Sequence, residues 1–516
     1  MKTQFNTTNQ RPSMASLDMQ VFTGLAHTMQ TAAIAALIFV AVTFAPKLKR
    51  RIQLARIPVF ATSKGAVQST RGMFQEGYQK FKDSVYMIIT PDGEDSVIIP
   101  TALMPELRKL PDDVLSFPKA VERLMEVEYT KIATEAKLAV HAIKSDLTPA
   151  LSRLNATISD EVDAAMRQYL PSCDDWTELD INRKLIDIVT RISGRVFVGP
   201  ELCQDPEYLD IGANYTIYLM DAIRAIKRLR PWQKPFLAHR LPEMKKLRAI
   251  EKRAAEQLRP IVKERLEAEK NDPNWQKPED MMQWLINRNA GAIPADEIAH
   301  VQLGLIFAAI HTTTTTATNI LYTLAVTPEC MDPLREEIRN AMNENGGQLT
   351  SKALQQMLKL DSYMKEVIRV HALSVSSFMR RVVKGITLSN GQYLPPGVMI
   401  EVPGDAVYSD EAFYPSPNTF DPWRSSDIRQ SGTPTDHARN QFVTTNETNL
   451  LFGYGRHACP GRFFAANEIK LILARLILDY EIKMPNGESE RYANIEIGRS
   501  IIPAPGKTIM LKRVEI

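Results

Sequence analysis

Residues 452–463 read FGYGRHACPGRF, and this stretch decides the fold. Gly453 and Gly455 permit a tight backbone with positive φ, and Pro460 is typical of a first helical position. Cys459 is therefore expected at a helix N-terminus, where the helix dipole and unsatisfied N–H groups lower the pKa of a thiol. A thiolate there suits a metal ligand, and the alternatives are a packed cysteine or a reactive thiol.

The composition of the 516 residues is that of a chain with a sizeable core, because 44% are hydrophobic and 24% are charged. This excludes a disordered chain, collagen and a multi-span membrane protein. The net charge of +3 is too near neutral for a dedicated nucleic-acid binder. The four cysteines match no zinc-binding spacing, which indicates a reduced, cytosolic domain.

A second motif lies upstream of the cysteine, in residues 361–369, which read DSYMKEVIR. Asp361 is expected as a helix N-cap, and Glu366 and Arg369 share one helix face at i,i+3. Taken alone, this pair is a commonplace surface ion pair. Residues 420–424, FDPWR, follow it and supply Arg424.

In order and spacing these motifs resemble those of the cytochrome P450 family: FxxGxxxCxG beginning at Phe452, ExxR and FxPxR. The resemblance covers residues 50 to 516 and implies that fold, mainly α with small β-sheets, in a single catalytic domain over residues 61–516. It also implies haem b with the Cys459 thiolate as axial iron ligand. Glu366, Arg369 and Arg424 would form a cluster that steadies the haem-binding face.

A threonine-rich segment, residues 305–316, reads LIFAAIHTTTTT. It is similar to the family's AGxDTT oxygen-activation motif, with Thr312 as the first threonine. The resemblance implies a local opening of the helix, where Thr312 and an ordered water deliver protons during dioxygen activation. Five threonines in a row are expected to loosen the helical ladder, and the alternative is a helix with back-bonded threonines. His311 replaces the usual acid, so it either relays protons or only makes a structural hydrogen bond.

The resemblance also implies donors for the two haem propionates. By position these are His457, Arg381 and Lys144, although the tryptophan that usually accompanies the third donor is replaced by Val140. The substrate pocket is implied at six residues, for each of which core packing is an equal alternative: Phe307, Ala308, Val375, Ser376, Ser377 and Ile501. They are mostly apolar, as suits a lipophilic ligand.

The activity that the resemblance implies is that of a haem-thiolate monooxygenase, which inserts one oxygen atom from O2 into a lipophilic small molecule. NADPH would supply electrons through a cytochrome P450 reductase, with cytochrome b5 as a further possible partner. Residues 461–470, GRFFAANEIK, resemble fungal enzymes of terpenoid and related secondary metabolism, including meroterpenoid and indole-diterpene pathways. The alternatives are a haem-thiolate isomerase or synthase that needs no reductase, and a non-catalytic haem sensor.

The N-terminal region is expected to anchor the chain in the endoplasmic reticulum. Residues 25–45 would span the membrane once, because 21 helical residues measure about 31 Å. Residues 1–24 would form a lumenal leader, glycosylated at Asn6, and residues 46–60 a basic stop and hinge before a cytosolic domain. A cleaved signal peptide is the alternative.

Other patterns predict local structure and a surface. Helices are expected over residues 128–141, 180–196, 245–269 and 295–324, and a β-hairpin around the turn at residues 91–93. Residues 224–248 hold nine Lys and Arg together with Trp232 and Phe236. This segment is either a solvated helix face or a contact with an anionic membrane.

Overall fold

Helices form most of the fold. The computed structural model describes residues 14–60, 69–90, 95–133, 137–288 and 294–514. The α-helices are α1 Met14–Leu54, α2 Thr70–Phe81, α3 Met104–Leu107, α4 Phe117–Leu124, α5 Val127–Thr130, α6 Lys137–Ala142, α7 Thr148–Tyr169, α8 Ile181–Phe197, α9 Pro206–Arg228, α10 Lys234–Leu237, α11 Pro242–Asn271, α12 Met281–Arg288, α13 Ala295–Leu324, α14 Met331–Asn343, α15 Ser351–Gln356, α16 Leu358–Val370, α17 Gly404–Tyr408, α18 Arg424–Ser431, α19 Pro434–Arg439 and α20 Arg462–Asp479.

The strands are short. They are β1 Val59–Phe60, β2 Tyr86–Ile89, β3 Asp95–Ile98, β4 Leu115–Ser116, β5 Thr177–Leu179, β6 Ser377–Val382, β7 Ile386–Thr387, β8 Tyr393–Leu394, β9 Met399–Val402, β10 Tyr480–Lys483, β11 Ile495–Ile497, β12 Ser500–Ile502 and β13 Ile509–Arg513. One sheet has the order β1-β2-β3-β9-β6-β4, and a second has the order β10-β13-β5. The strands β11 and β12 form a hairpin, and β7 pairs with β8. The expected fold class, mainly α with small sheets, is confirmed.

Several predicted elements match. Helices α8, α11 and α13 cover three of the four expected stretches, and α8 begins where Asp180 accepts a hydrogen bond from the Arg183 N–H at 3.0 Å. Strands β2 and β3 pair antiparallel as the predicted hairpin, while its turn lies outside the described residues. The continuous helix expected over residues 128–141 is wrong, because Lys131 at φ +58° ends α5 in a left-handed conformation.

The N-terminal helix α1 runs through the segment expected to be the anchor and on into the expected hinge. Several of its apolar side chains, including Leu37, Phe39 and Val42, are exposed. Within the parts of the chain that the structure describes, none of the helices combines the length and apolarity needed to cross a membrane. Asn6 lies outside the described residues.

The core is built around α8, α13, α16 and α20, which bury apolar faces in one large cluster. Helix α13 packs against both α16 and α20. Helix α16 contains Glu366, and α20 begins three residues after Cys459. Three cysteines, Cys173, Cys203 and Cys330, are buried free thiols, and Cys459 is half-buried and also free. This arrangement brings the motifs from distant parts of the sequence into one region.

Candidate active site

The loop before α20 is folded tightly around its cysteine. The Cys459 N–H donates to the Phe452 carbonyl at 2.7 Å, which closes the loop. Gly453 and Gly455 have φ values of +70° and +76°, as expected from the sequence. A Cβ at Gly455 would also lie 2.8 Å from the Arg108 side chain, so a larger residue would have to displace it.

The Cys459 sulfur faces the start of α20 but differs from expectation in two respects. Helix α20 begins at Arg462 with Gly461 as its N-cap, so Pro460 lies in the preceding turn instead of at the first helical position. Burial raises the pKa of the thiol, although the backbone N–H groups of Gly461 and Arg462 and the Arg462 charge oppose this. The expected lowering by the helix terminus is therefore outweighed by burial. A cation coordinated to the sulfur would restore the thiolate.

The three residues of the ExxR and FxPxR motifs meet in one buried cluster. Arg369 binds both oxygens of Glu366, at 2.9 Å and 2.7 Å, and Arg424 Nε lies 3.2 Å from Glu366 Oε2. The Glu366 and Arg369 side chains are only 3% and 4% exposed. Arg369 also donates to the backbone carbonyls of Tyr408, Pro417 and Thr419. The cluster thus ties α16 to the loop before α18.

The expectation for Asp361 is wrong. Helix α16 begins at Leu358, so Asp361 lies in its first turn and is not the N-cap. Its carboxylate is buried and paired with Lys470 at 2.6 Å and Arg429 at 2.8 Å. Burial alone would raise the pKa of Asp361, but these two cations hold it below its ordinary value. Because Lys470 belongs to α20, this ion cluster joins the two motif-bearing helices directly.

Helix α13 presents one accessible face although most of it is buried. Ala308 and Thr312, one turn apart, are exposed, and a Cβ placed on Gly304 would meet no atom within 4 Å. The helix continues without a break through the five threonines, so the expected local opening is absent. The Thr312 hydroxyl donates to the Ala308 carbonyl at 2.7 Å. Such bonds add to the backbone ladder without replacing it, because a carbonyl oxygen has two lone pairs.

His311 points to a different neighbour. Its Nε2 lies 3.2 Å from the carbonyl oxygen of Ala213 on α9. Burial lowers the pKa of His311, so the ring is neutral at pH 7 and donates this hydrogen bond. The geometry favours a structural hydrogen bond over proton relay, because His311 binds a backbone carbonyl of α9 whereas the Thr312 hydroxyl binds Ala308.

The three expected cationic donors lie in different surroundings. His457 Nε2 is 2.7 Å from Asp112, and burial together with Arg380 lowers the pKa of its ring. Arg381 is half-buried, and its side chain has no hydrogen-bond or ion-pair partner among the described residues. Lys144 is exposed in the π-helical turn Ile143–Leu147, and no contact described in the structure joins it to the other two.

Arg380 is a functional candidate that the sequence reasoning missed. Its guanidinium is buried between Phe378 and Phe117, 4.3 Å and 5.2 Å from their ring centroids. Within the described chain it donates only to carbonyls, those of Met379 and Tyr454. Burial lowers its pKa to about 10. The signal available was two adjacent arginines in a strand, whose side chains necessarily face opposite sides of the sheet.

These residues fit a haem. The donor set offers one sulfur ligand, Cys459, supported by backbone N–H groups. Arg380 lies beside His457, since both contact Phe117, and it lacks a carboxylate within hydrogen-bonding distance among the described residues, as suits a group that binds a carboxylate of a cofactor. Arg381 faces the opposite side of the sheet. The accessible face of α13, formed by Gly304, Ala308 and Thr312, supplies an apolar wall with the Thr312 hydroxyl.

The six expected pocket residues divide into two groups. Phe307 and Ser377 are half-buried and Ala308 is exposed. Val375 and Ile501 are buried in a small cluster with Phe74 and Ile88, which favours core packing for both. Ser376 is turned away from the other candidates, because its buried hydroxyl donates to Glu401 at 2.5 Å.

Comparison with known proteins agrees with this geometry. The family model described as Cytochrome P450 matches residues 127–510. The chain is 36% identical to cytochrome P450 monooxygenase TES1 of Alternaria alternata over 502 residues, which is 95% of each chain. It is 39% identical to cytochrome P450 monooxygenase ATR3 of Stachybotrys chlorohalonatus, over 81% of this chain and 89% of the relative. It is 34% identical to cytochrome P450 monooxygenase braC of Annulohypoxylon truncatum, over 87% and 89%.

Proposed function

The chain belongs to the cytochrome P450 monooxygenase family, and from that premise we propose that it oxidises a lipophilic terpenoid-type molecule with electrons from an NADPH-dependent reductase. The observation that carries the proposal is Cys459, whose loop holds the sulfur at the start of α20 among backbone N–H donors. A haem bound through this thiolate supplies dioxygen cleavage and transfer of one oxygen atom.

The other residues have supporting roles in this proposal. Arg380 and His457, which both contact Phe117, hold the haem carboxylates, whereas Arg381 faces the opposite side of the sheet. Phe452 and the two loop glycines shape the loop beneath the cysteine. Glu366, Arg369 and Arg424 keep the loop before α18 in place against α16. The Thr312 hydroxyl stands on the accessible face of α13 and holds the water that passes protons.

The Thr312→Ala variant is expected to separate electron consumption from product formation. Removing the hydroxyl leaves the helix intact but removes the group that positions the proton-donating water. Product per NADPH should fall by at least about tenfold, because positioned proton transfer contributes roughly 10²–10⁴-fold. Product and hydrogen peroxide are measured beside NADPH oxidation.

The matched control is Thr316→Ala. The Thr316 hydroxyl also donates to a carbonyl one turn back, at 2.8 Å, but the side chain is buried. This variant should keep the coupling of the parent. Equal coupling in Thr312→Ala and the parent would remove Thr312 from the proposed proton route.

Electron demand tests the proposed reaction against its alternatives. A monooxygenase converts substrate only with a reductase, NADPH and O2, and labelled O2 places one labelled atom in the product. Conversion without electrons would identify an isomerase or synthase instead, and haem binding without any turnover would identify a sensor. The presence of Thr312 favours the monooxygenase.

The proposed substrate class rests on resemblance and on pocket chemistry. Residues 461–470 resemble fungal enzymes of terpenoid and related pathways, and the relatives named above are also fungal. The accessible face of α13 is apolar except for Thr312, which suits a substrate oriented by shape. A panel of terpenes, meroterpenoids and indole-diterpenes, screened for substrate-induced shifts of the haem spectrum, tests this class.

We also propose that the enzyme works at the endoplasmic reticulum membrane, held by residues 25–45 with the catalytic domain in the cytosol. Support comes from the apolar run, from the exposed apolar side chains of α1, and from the basic residues that follow the run. A second contact is proposed between α9 and α11, where Trp232 and Phe236 are 65% and 67% exposed among basic residues.

Fluorescence in bilayers tests the second contact. Full-length enzyme is reconstituted with anionic vesicles that contain brominated lipids, which quench nearby tryptophans. The emission of Trp232, measured as the difference between the parent and Trp232→Phe, should be quenched. Trp275→Phe serves as the control, because Trp275 is half-buried in another loop. If the Trp232→Phe variant is quenched as strongly as the parent, this segment is a solvated face.

A further inference from the structure

A buried ion pair, Arg499 with Glu401, adjoins two segments that carry expected pocket residues, residues 373–377 and the β11–β12 hairpin. Arg499 is in the turn between β11 and β12, and Glu401 is on β9 at the centre of the six-stranded sheet. Arg499 Nε lies 3.0 Å and 2.9 Å from the two Glu401 oxygens, and its Nη2 lies 2.8 Å from Oε1. The side chains are 11% and 1% exposed.

Two serines also bind this pair. Ser376, just before β6, donates to Glu401 Oε2 at 2.5 Å, and Ser96 on β3 donates to Glu401 Oε1. Arg499 Nη2 also donates to the Ser96 hydroxyl at 3.1 Å. Because both carboxylate oxygens are saturated and the cation is held bidentately, the group has one well-defined arrangement.

The backbone repeats the same connection. The Val375 N–H donates to the Arg499 carbonyl at 2.9 Å, and the Ile501 N–H donates to the Leu373 carbonyl at 2.9 Å. The Ser374 hydroxyl also donates to the Arg499 carbonyl, at 2.9 Å. The Arg499 carbonyl thus binds Ser374 and Val375 directly, while its side chain is connected to Ser376 through Glu401.

Residues 373–377 connect this pair to the cysteine loop. The Ser377 hydroxyl donates to the Leu450 carbonyl at 3.1 Å, two residues before Phe452. A cavity of about 80 Å³ lies between much of the segment and Leu450 and Leu451, so apart from the Ser377 bond the segment is loosely packed against that loop. The contacts on its other side, where Glu401 and Arg499 lie, therefore contribute to fixing its position.

We infer that Arg499 and Glu401 are positioning residues that set the shape of the substrate space, by fixing residues 373–377 and the β11–β12 turn relative to each other. Neither side chain touches substrate in this account. The inference rests on the proposed function, under which the half-buried Ser377 lines the substrate space and the buried Val375, Ser376 and Ile501 hold that wall in place from behind. Its consequence is that the pair controls which ligands fit above the haem without controlling haem binding.

The test compares two iron ligands of different size on the full-length ferric holoenzyme. Imidazole needs only free space near the iron, whereas 4-phenylimidazole also needs room for a phenyl ring against the pocket walls. The Kd of each is read from the shift of the Soret band. In Arg499→Met and Glu401→Gln the ratio of the two Kd values should change by about tenfold, because small displacements of positioning groups have effects of this size. The Kd for imidazole should change little.

The matched control is Arg265→Met. Arg265 forms another buried, bidentate pair, with Asp280 at 2.7 Å for each contact, between α11 and α12. It should cost comparable stability and leave the ratio at the parent value. An unchanged ratio in Arg499→Met and Glu401→Gln, in protein that keeps the red-shifted Soret band of its reduced carbon monoxide complex, would overturn the inference.

Milder variants cover the case in which those proteins lose their haem. Arg499→Lys keeps the charge but loses the bidentate geometry, and Ser376→Ala removes one hydrogen bond to Glu401. Each should change the ratio by about threefold in the same direction, as expected for one lost hydrogen bond, and no change in either would also overturn the inference. Failure of the proposed function is distinguishable, because it is read on the parent enzyme. A parent without the red-shifted band and without an azole shift would lack thiolate-bound haem, and a parent with the band that turns over without electrons, or not at all, would have another haem-based function.

Discussion

Cys459→Ser should abolish the strongly red-shifted Soret band that the dithionite-reduced, carbon monoxide-bound parent is expected to show. The loop around Cys459 provides no second sulfur, and the hydroxyl of serine is a much weaker electron donor to iron than a thiolate. Any haem that remains should absorb at the shorter wavelength typical of weaker or histidine ligation. Product formation should fall below detection, because thiolate donation is what favours O–O cleavage.

The control for this change is Cys330→Ala. Cys330 is a buried free thiol at the start of α14, remote in sequence from the haem-binding loop. It should keep the red-shifted band and the haem content of the parent. A Cys459→Ser protein that retained the band would refute thiolate ligation by Cys459 and every role assigned around it.

Glu366→Gln is expected to have the second largest effect. The substitution keeps the shape of the side chain but leaves Arg369 and Arg424 without the carboxylate that both now share. Breaking a buried pair from one side costs about 3–5 kcal/mol, because the remaining charge stays buried without compensation. Most of the protein should therefore fail to accumulate with haem, and the midpoint of thermal unfolding should fall sharply. Haem per polypeptide, from the pyridine haemochrome spectrum, measures the first effect.

Glu279→Gln provides the comparison. Glu279 pairs with Arg153, but both side chains are about half exposed. Water solvates whichever charge remains, so the free energy of unfolding should change by no more than about 1 kcal/mol. A Glu366→Gln protein as stable and as rich in haem as Glu279→Gln would show that the buried cluster is dispensable.

Structural features that are determined by a short stretch of sequence could be predicted. The two loop glycines have positive φ because the turn before Cys459 requires it, and α13 covers the residues that the apolar pattern indicated. The Glu366 and Arg369 pair follows from helical spacing alone. In these cases the physical cause lies within about one or two helical turns of the residue.

Features that depend on distant partners could not be predicted. Arg499 and Glu401 are 98 positions apart, as are His311 and Ala213. Asp361 looked like a helix cap because nothing nearby shows that Lys470 would reach it. The pKa of Cys459 is raised, although a lowering was expected. The degree of burial, which tertiary packing sets, outweighs the effect of the helix terminus.

The burial of the remaining thiols has a practical consequence for spectroscopy. Burial raises the pKa of Cys203 to about 12 and that of Cys330 to about 11, and it raises the pKa of Cys173 as well. The thiolate is the nucleophile that attacks maleimide and thiosulfonate spin-label reagents, so at neutral pH these three side chains react very little. In the holoenzyme proposed here, where Cys459 is bound to iron, a single cysteine introduced on the surface, for example beside Trp232, can therefore carry a fluorophore or spin label in the otherwise native sequence.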